Sequence, residues 1–297
     1  MSQVLLPDGH FFECPRWYGG AWFVSDLYGP GVWRVNTSGV PVLHASVPGG
    51  ASGTGWLSDG TMLITAKEDK RILRREHGGA LIEYADLSGV ANGDLNELIV
   101  DSSDRAYVGE FGFDITARAV AAPANLYRVD PDGAVSVAAS DLAFPNGMTI
   151  TDDGRTLTVN ESFAGRVTTF EVRDDGTLTK RRVAAQLGTA PALTSVSEVR
   201  RALTFVPDGA CLDREGHLWV ADVEGARAVR IAPGGTLTDE VRAPAGSTVL
   251  ACMLGGDSGR QLALCIVPQN TSEASRRRTR ESVVLLHEVA VGGAGRP

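Results

Sequence analysis

Four residues carry the chemistry that can be read from this chain: Glu13, Asn96, Asn146 and Asp208. Asn146 precedes Gly154 by eight residues, Asp208 precedes Gly216 by eight, and Asn96 precedes the turn residue Asp104 by eight, while Glu13 lies seven before Gly20. Each stands at the same place in a recurring unit, near the start of a strand that runs into a tight turn. Asn146-Gly147 and Asp208-Gly209 each follow a proline and lead into a strand, whereas Asp59-Gly60, Asp132-Gly133, Asp153-Gly154 and Asp175-Gly176 read as ordinary hairpin turns. Glu13, Asn146 and Asp208 offer oxygen atoms, and two carboxylates neutralise a divalent charge that is costly to hold in a narrow pore. One hard divalent cation fits best, calcium first, with zinc, manganese or magnesium as alternatives; no histidine cluster points to a dedicated His-rich zinc or copper site. Without a cation, Glu13 and Asp208 held close together would repel, and one would take up a proton. His10 lies near the same end of its unit and is a candidate substrate contact.

The elements that must position these residues recur six times as a strand, a turn that usually contains glycine, a second strand and a third. The units cover residues 15–39, 55–75, 96–133, 144–172, 207–232 and 252–289. They start roughly 40 to 60 residues apart, the range of propeller blades. The expected fold is all-β, a six-bladed β-propeller of four-stranded antiparallel blades in one domain over residues 1–297. Radial repetition buries the apolar faces of the blades and leaves only short edges. Gln3-Val4-Leu5-Leu6 is expected to close the ring by pairing with the C-terminal strands. The 188–204 segment is an insertion between blades four and five, open to a short helix or a lid. Equivalent positions in a radial repeat lie at equivalent radii, so the four polar side chains are expected to converge at one mouth of the channel.

Composition narrows the classes of partner. A net charge of −8 argues against nucleic acid, whose binding draws on clustered Lys and Arg. The one basic run, Arg276-Arg277-Arg278 with Arg280, reads as a solvated loop. The first residues lack a basic n-region, and no apolar stretch approaches the roughly 20 residues of a membrane span. The expectation is a soluble, cytoplasmic protein, a monomer or small homo-oligomer, with no membrane partner. Cys14, Cys211, Cys252 and Cys265 show no CxxC spacing and read as reduced, buried, small apolar residues, not nucleophiles. In that compartment the sequons at Asn36 and Asn270 carry no weight. Gly256-Asp257-Ser258-Gly259 mimics a serine-protease signature, but it falls at the turn of the sixth unit with no histidine partner in the repeat.

Glu13-Cys14-Pro15-Arg16-Trp17 with residues 22–26, Asn96, Pro145-Asn146-Gly147, Pro207-Asp208-Gly209 with residues 218–222, and the terminal 292–297 stretch resemble the senescence marker protein/gluconolactonase family, to which regucalcin belongs. The resemblance covers essentially the whole chain. It implies a six-bladed propeller with one divalent metal held by the residues matching Glu13, Asn146 and Asp208, with the residue matching Asn96 near metal and substrate. It also implies hydrolysis of a small-molecule lactone or ester, the metal polarising the carbonyl and activating a water, with Asp208 as the candidate base. One departure bears on substrate. Sugar-lactone members carry an Arg two residues before the Asn matching Asn96, where this chain has Asp94. With the 111–114 turn and the 188–204 insertion, Asp94 turns the expectation toward a less polar lactone or ester. Two rival readings share the scaffold: a calcium-binding regulatory propeller without turnover, and a strictosidine-synthase-like, non-hydrolytic enzyme.

Overall fold

The computed structural model describes residues 2–36, 39–115, 120–269 and 271–295. Thr37, Ser38, Asn270, Arg296 and Pro297, which entered the sequence reading, lie outside the described residues. Within the described residues the strands form six four-stranded antiparallel sheets, the six-bladed β-propeller that the repeats predicted. Five sheets are built from consecutive strands, and blades one to five begin at Phe12, Ala51, Leu95, Pro145 and Pro207. The sixth is closed as expected: Gln3–Gly9 pairs with Ser282–Glu288, with Gln3 opposite Leu286 and Val4 opposite Leu285.

The blades divide into two compact groups, blades one, five and six (Met1–Ala51 with Asp208–Pro297) and blades two, three and four (Ser52–Pro207). In each group the second strands are buried on both faces, because both faces are covered. Ala21–Asp26 and Met62–Ala66 are buried at every residue. The first group has a core that includes Trp22, Val24, Trp219, Leu262, Leu264 and Val284. In the second, Leu63, Ile72, Leu98 and Tyr127 pack in one cluster, and Tyr107, Leu126, Leu157 and Phe170 in another. The fourth strands are a different kind of element. Pro41–Ser46 and Leu237–Arg242 are exposed at most positions, so no alternation marks them in the sequence.

The 188–204 insertion contains a helix, Val196–Ala202, started by Ser195 and Glu198 in a reciprocal capping box. Val199 and Leu203 place it on Phe111, Phe113, Phe144 and Phe163. In the basic run Arg277, Arg278 and Arg280 are exposed and Arg276 is half-buried. The Arg276 guanidinium lies 4.6 Å from the Phe11 ring centre and that of Arg277 lies 4.5 Å from Tyr28, while Arg280 donates to the Asp8 carbonyl at 2.7 Å. Aromatic faces hold the first two of these cations.

Candidate functional site

A buried carboxylate at the end of the second strand organises the start of the first strand in three of the blades. Asp26 accepts from the backbone N–H of His10 at 3.1 Å and of Phe11 at 2.8 Å. Glu110, fully buried, accepts from the N–H of Asn92, Gly93 and Asn125 at 2.6, 3.0 and 3.0 Å. Glu161 accepts from the Ala143 N–H at 2.9 Å. Charge-assisted bonds of this kind are the stronger ones, and they tie the approaching loop to the sheet. Across the ladder Asp26 faces Phe12, Glu110 faces Leu95 and Glu161 faces Pro145. The candidate residues Glu13, Asn96 and Asn146 are each the next residue along. In all three blades the register then breaks, before Arg16, Leu98 and Met148 respectively. Such bulges re-aim side chains. The sequence reading gave these carboxylates no role of their own, although Asp26, Glu110, Glu161 and Asp222 each close a second strand and were visible as such.

In the first group, Glu13 and Asp208 are both half-buried and occupy the second position of Phe12–Tyr18 and Pro207–Leu212. The first strand of blade six, Ser247–Gly255, packs against both flanking blades. His10 is half-buried in the loop that Asp26 fastens. Cys252 donates its thiol to the Gly209 carbonyl at 3.6 Å. Burial, helped by the neighbouring Cys211, pushes the Cys252 thiol well above its ordinary range, so it stays protonated and is no nucleophile. All four cysteines are buried and none is in a disulfide. Gly209 is required by close approach: a Cβ there would lie 2.6 Å from Ala251 Cβ and 2.7 Å from its Cα. Gly209→Ala is expected to cost about 1–3 kcal/mol, read as a lower urea midpoint at unchanged m. An unmoved midpoint would mean that the two strands separate at no cost.

In the second group, Asn96 and Asn146 are buried, and their amides are oriented by their own nitrogens. Asn96 Nδ2 donates to the Pro145 carbonyl at 3.3 Å, and Asn146 Nδ2 donates to Ser162 Oγ at 3.2 Å. Ser162 Oγ in turn donates to the Pro207 carbonyl at 2.6 Å. Asn96 is thereby brought to the start of the strand that carries Asn146. Asp94 is bound to Lys67, whose Nζ lies 2.5 Å from Asp94 Oδ2. Lys67 was missed by the sequence reading. Its Nζ also sits 5.5 Å from the centre of the Phe111 ring. Beyond it the aromatic rings stack, Phe111 on Phe144 at 4.7 Å and Phe144 on Phe163 at 4.9 Å.

The donor chemistry fits a hard divalent cation. Glu13 and Asp208 offer carboxylate oxygens, and with its Nδ2 given to Ser162, Asn146 keeps its amide oxygen as the acceptor end. Among the described residues no three His, Cys, Asp or Glu side chains gather into a metal-holding group. A set of this kind contains only two such residues.

Six four-stranded blades with polar residues at repeated strand starts define a six-bladed β-propeller that presents oxygen donors. The chain belongs to the SMP-30/Gluconolactonase/LRE-like region family, whose sequence pattern matches residues 11–266. It is 29% identical to regucalcin of Danio rerio over 179 residues, which are 60% of this chain and 55% of that protein. To pentonolactonase XacC of Haloferax volcanii it is 27% identical over 143 residues, 48% of this chain and 43% of that one. The chain thus spans about half the length of these curated relatives. The crystal structure of a calcium-binding protein, regucalcin, from Agrobacterium tumefaciens matches it with a TM-score of 0.79 over 100% of this chain and 96% of that one, at 19% identity. That is a likeness of fold. No helix among the described residues is long and apolar enough to cross a membrane.

Proposed function

We propose that this protein is a metal-dependent lactone hydrolase in which Glu13, Asn146 and Asp208 hold one divalent cation, calcium best suited. One observation carries the reading: the oxygen-bearing residues Glu13, Asn96 and Asn146 each follow the residue opposite a buried, loop-fastening carboxylate, with Asn96 and Asn146 inside a break of the ladder and Glu13 the last paired residue before one. Membership of the family supports the same conclusion. When bound, the cation supplies Lewis acidity toward the lactone carbonyl and lowers the pKa of a water. The chain's own residues do the rest. Asp208 takes the proton of the attacking water as its oxygen bonds to the carbonyl carbon, and returns a proton to the ring oxygen as the ester C–O bond breaks. The product is a hydroxy acid. Asn96, its amide held by the Pro145 carbonyl, orients the substrate.

Metal removal tests this reading. In a pH-indicator screen of aldonolactones, plain γ- and δ-lactones and aryl esters, turnover is expected to fall at least about a hundredfold with EDTA and to return with added calcium or another divalent ion. Activity indifferent to the chelator would remove the metal from the mechanism. Calcium binding with no turnover of any of these compounds would favour the regulatory reading.

A further inference from the structure

The ion pair between Lys67 and Asp94 stands at two places where the repeat does not call for charge. Lys67 directly follows the second strand of its blade, Met62–Ala66; the residues that directly follow the second strands of blades one, three, four and five are Leu27, Phe111, Ser162 and Val223, all uncharged. The Asp94 carbonyl accepts the backbone N–H of Phe111 at 2.9 Å, just as that of Phe11 accepts from Leu27 and that of Phe144 from Ser162, both at 3.0 Å. The counterparts of Asp94 in blades one and four are therefore phenylalanines. Blade two also lacks the carboxylate that ends the second strands of blades one, three, four and five, with Ala66 in its place. Folding of the blade asks for neither charge.

The pair is also incompletely satisfied. The Lys67 side chain is only 5% exposed, and among the described residues its three N–H donors meet one acceptor, Asp94 Oδ2. Asp94 is 29% exposed, and among the described residues its Oδ1 accepts no hydrogen bond. A buried ammonium with spare donors is costly unless something accepts from it. The spare donors and the spare acceptor belong to one salt bridge, beside an aromatic wall formed by Phe111 and Phe144.

We infer that Lys67 and Asp94 form a hydroxyl-recognising pair, in which one substrate hydroxyl accepts from Lys67 Nζ and donates to Asp94 Oδ1. A hydroxyl is the simple group that does both. An anionic substituent would face the unpaired Asp94 oxygen and a cationic one the ammonium, so the pair selects against either charge. The ligand class is a neutral lactone with a hydroxyl beside an otherwise apolar ring segment. The choice of a lactone ring rests on the hydrolase reading; the pairing does not.

The test is binding, measured by calorimetry on the full chain with non-hydrolysable lactams: a hydroxylated γ- and δ-series, the deoxy counterparts and carboxylate-bearing counterparts. The hydroxylated series should contain a compound that binds about tenfold or more tighter than its deoxy and anionic counterparts. Lys67→Met and Asp94→Asn should each erase that ratio. Because each single change leaves an unpaired group, the double variant is the control for folding: it should melt cooperatively, bind the deoxy compound as the parent does and show no preference for the hydroxyl. Equal binding of hydroxylated and deoxy compounds by the parent, binding of neither, or a ratio that survives in the double variant would overturn the inference. If the ratio behaves as expected but no lactone is opened, the pair stands and the hydrolase reading falls.

Discussion

Asp208→Ala is expected to lower kcat/KM for lactone opening by about a thousandfold or more, because one side chain is asked both to hold the cation and to move the proton. The side chain is half-buried at the second position of its strand, so its loss leaves no large cavity, and the melting temperature should move by only a few degrees. Asp208→Asn separates the two duties. The amide keeps an oxygen for the cation but has no basic lone pair for the water's proton. In that variant kcat is expected to collapse while the calcium affinity, read by calorimetry, weakens far less. Full metal-dependent turnover in Asp208→Ala would end the assignment. Equal losses of binding and rate in Asp208→Asn would leave Asp208 a ligand only.

The fold was legible because its repeats are punctuated by turns whose chemistry is local, such as Asp153-Gly154 and Asp59-Gly60, and because the pairing of Gln3–Gly9 with the C-terminal strands satisfies an otherwise open edge. The fourth strands were less legible for a physical reason. A strand such as Leu237–Arg242 has little buried face, so nothing imposes a period of two on it. Glu13, Asn96, Asn146 and Asp208 could be singled out as candidates because a repeat converts distance along the chain into equivalence of place. Lys67 was passed over. A lysine at the end of a strand looks like surface charge, and its burial depends on Asp94, 27 residues later at the neighbouring blade. The signal was nonetheless present in outline, since setting the residues after each of these second strands side by side leaves Lys67 as the one charge among Leu27, Phe111, Ser162 and Val223.

Glu161→Gln is the second large effect, and it is an effect on stability that depends on pH. The Glu161 side chain is fully buried, and it accepts from Arg166 at 2.9 and 2.8 Å, from Thr168 at 2.5 Å and from the Ala143 N–H at 2.9 Å. Burial alone would raise its pKa; the hydrogen bonds from Arg166, Thr168 and Ala143 outweigh burial and hold it below the ordinary 4.5. A depressed carboxylate pKa stabilises the fold above the unfolded value, and that stabilisation is lost as pH falls through the folded value. The wild-type protein should therefore hold its stability from neutrality down to about pH 5 and lose it below. The substituted amide would keep the shape but lose the charge facing Arg166, costing about 2–4 kcal/mol at pH 7, or roughly 5–10 °C in Tm. Once pH has fallen through the depressed folded value, the protonated glutamic acid comes to resemble the amide, so the gap between the two curves should narrow from about pH 4.5 downward. Other carboxylates titrate equally in both proteins, which makes the difference between the curves specific to this position. Urea midpoints for the pair at intervals from about pH 3 to 7 measure that difference directly, and a gap that stays constant across the range would show that the Glu161 charge does not hold the loop.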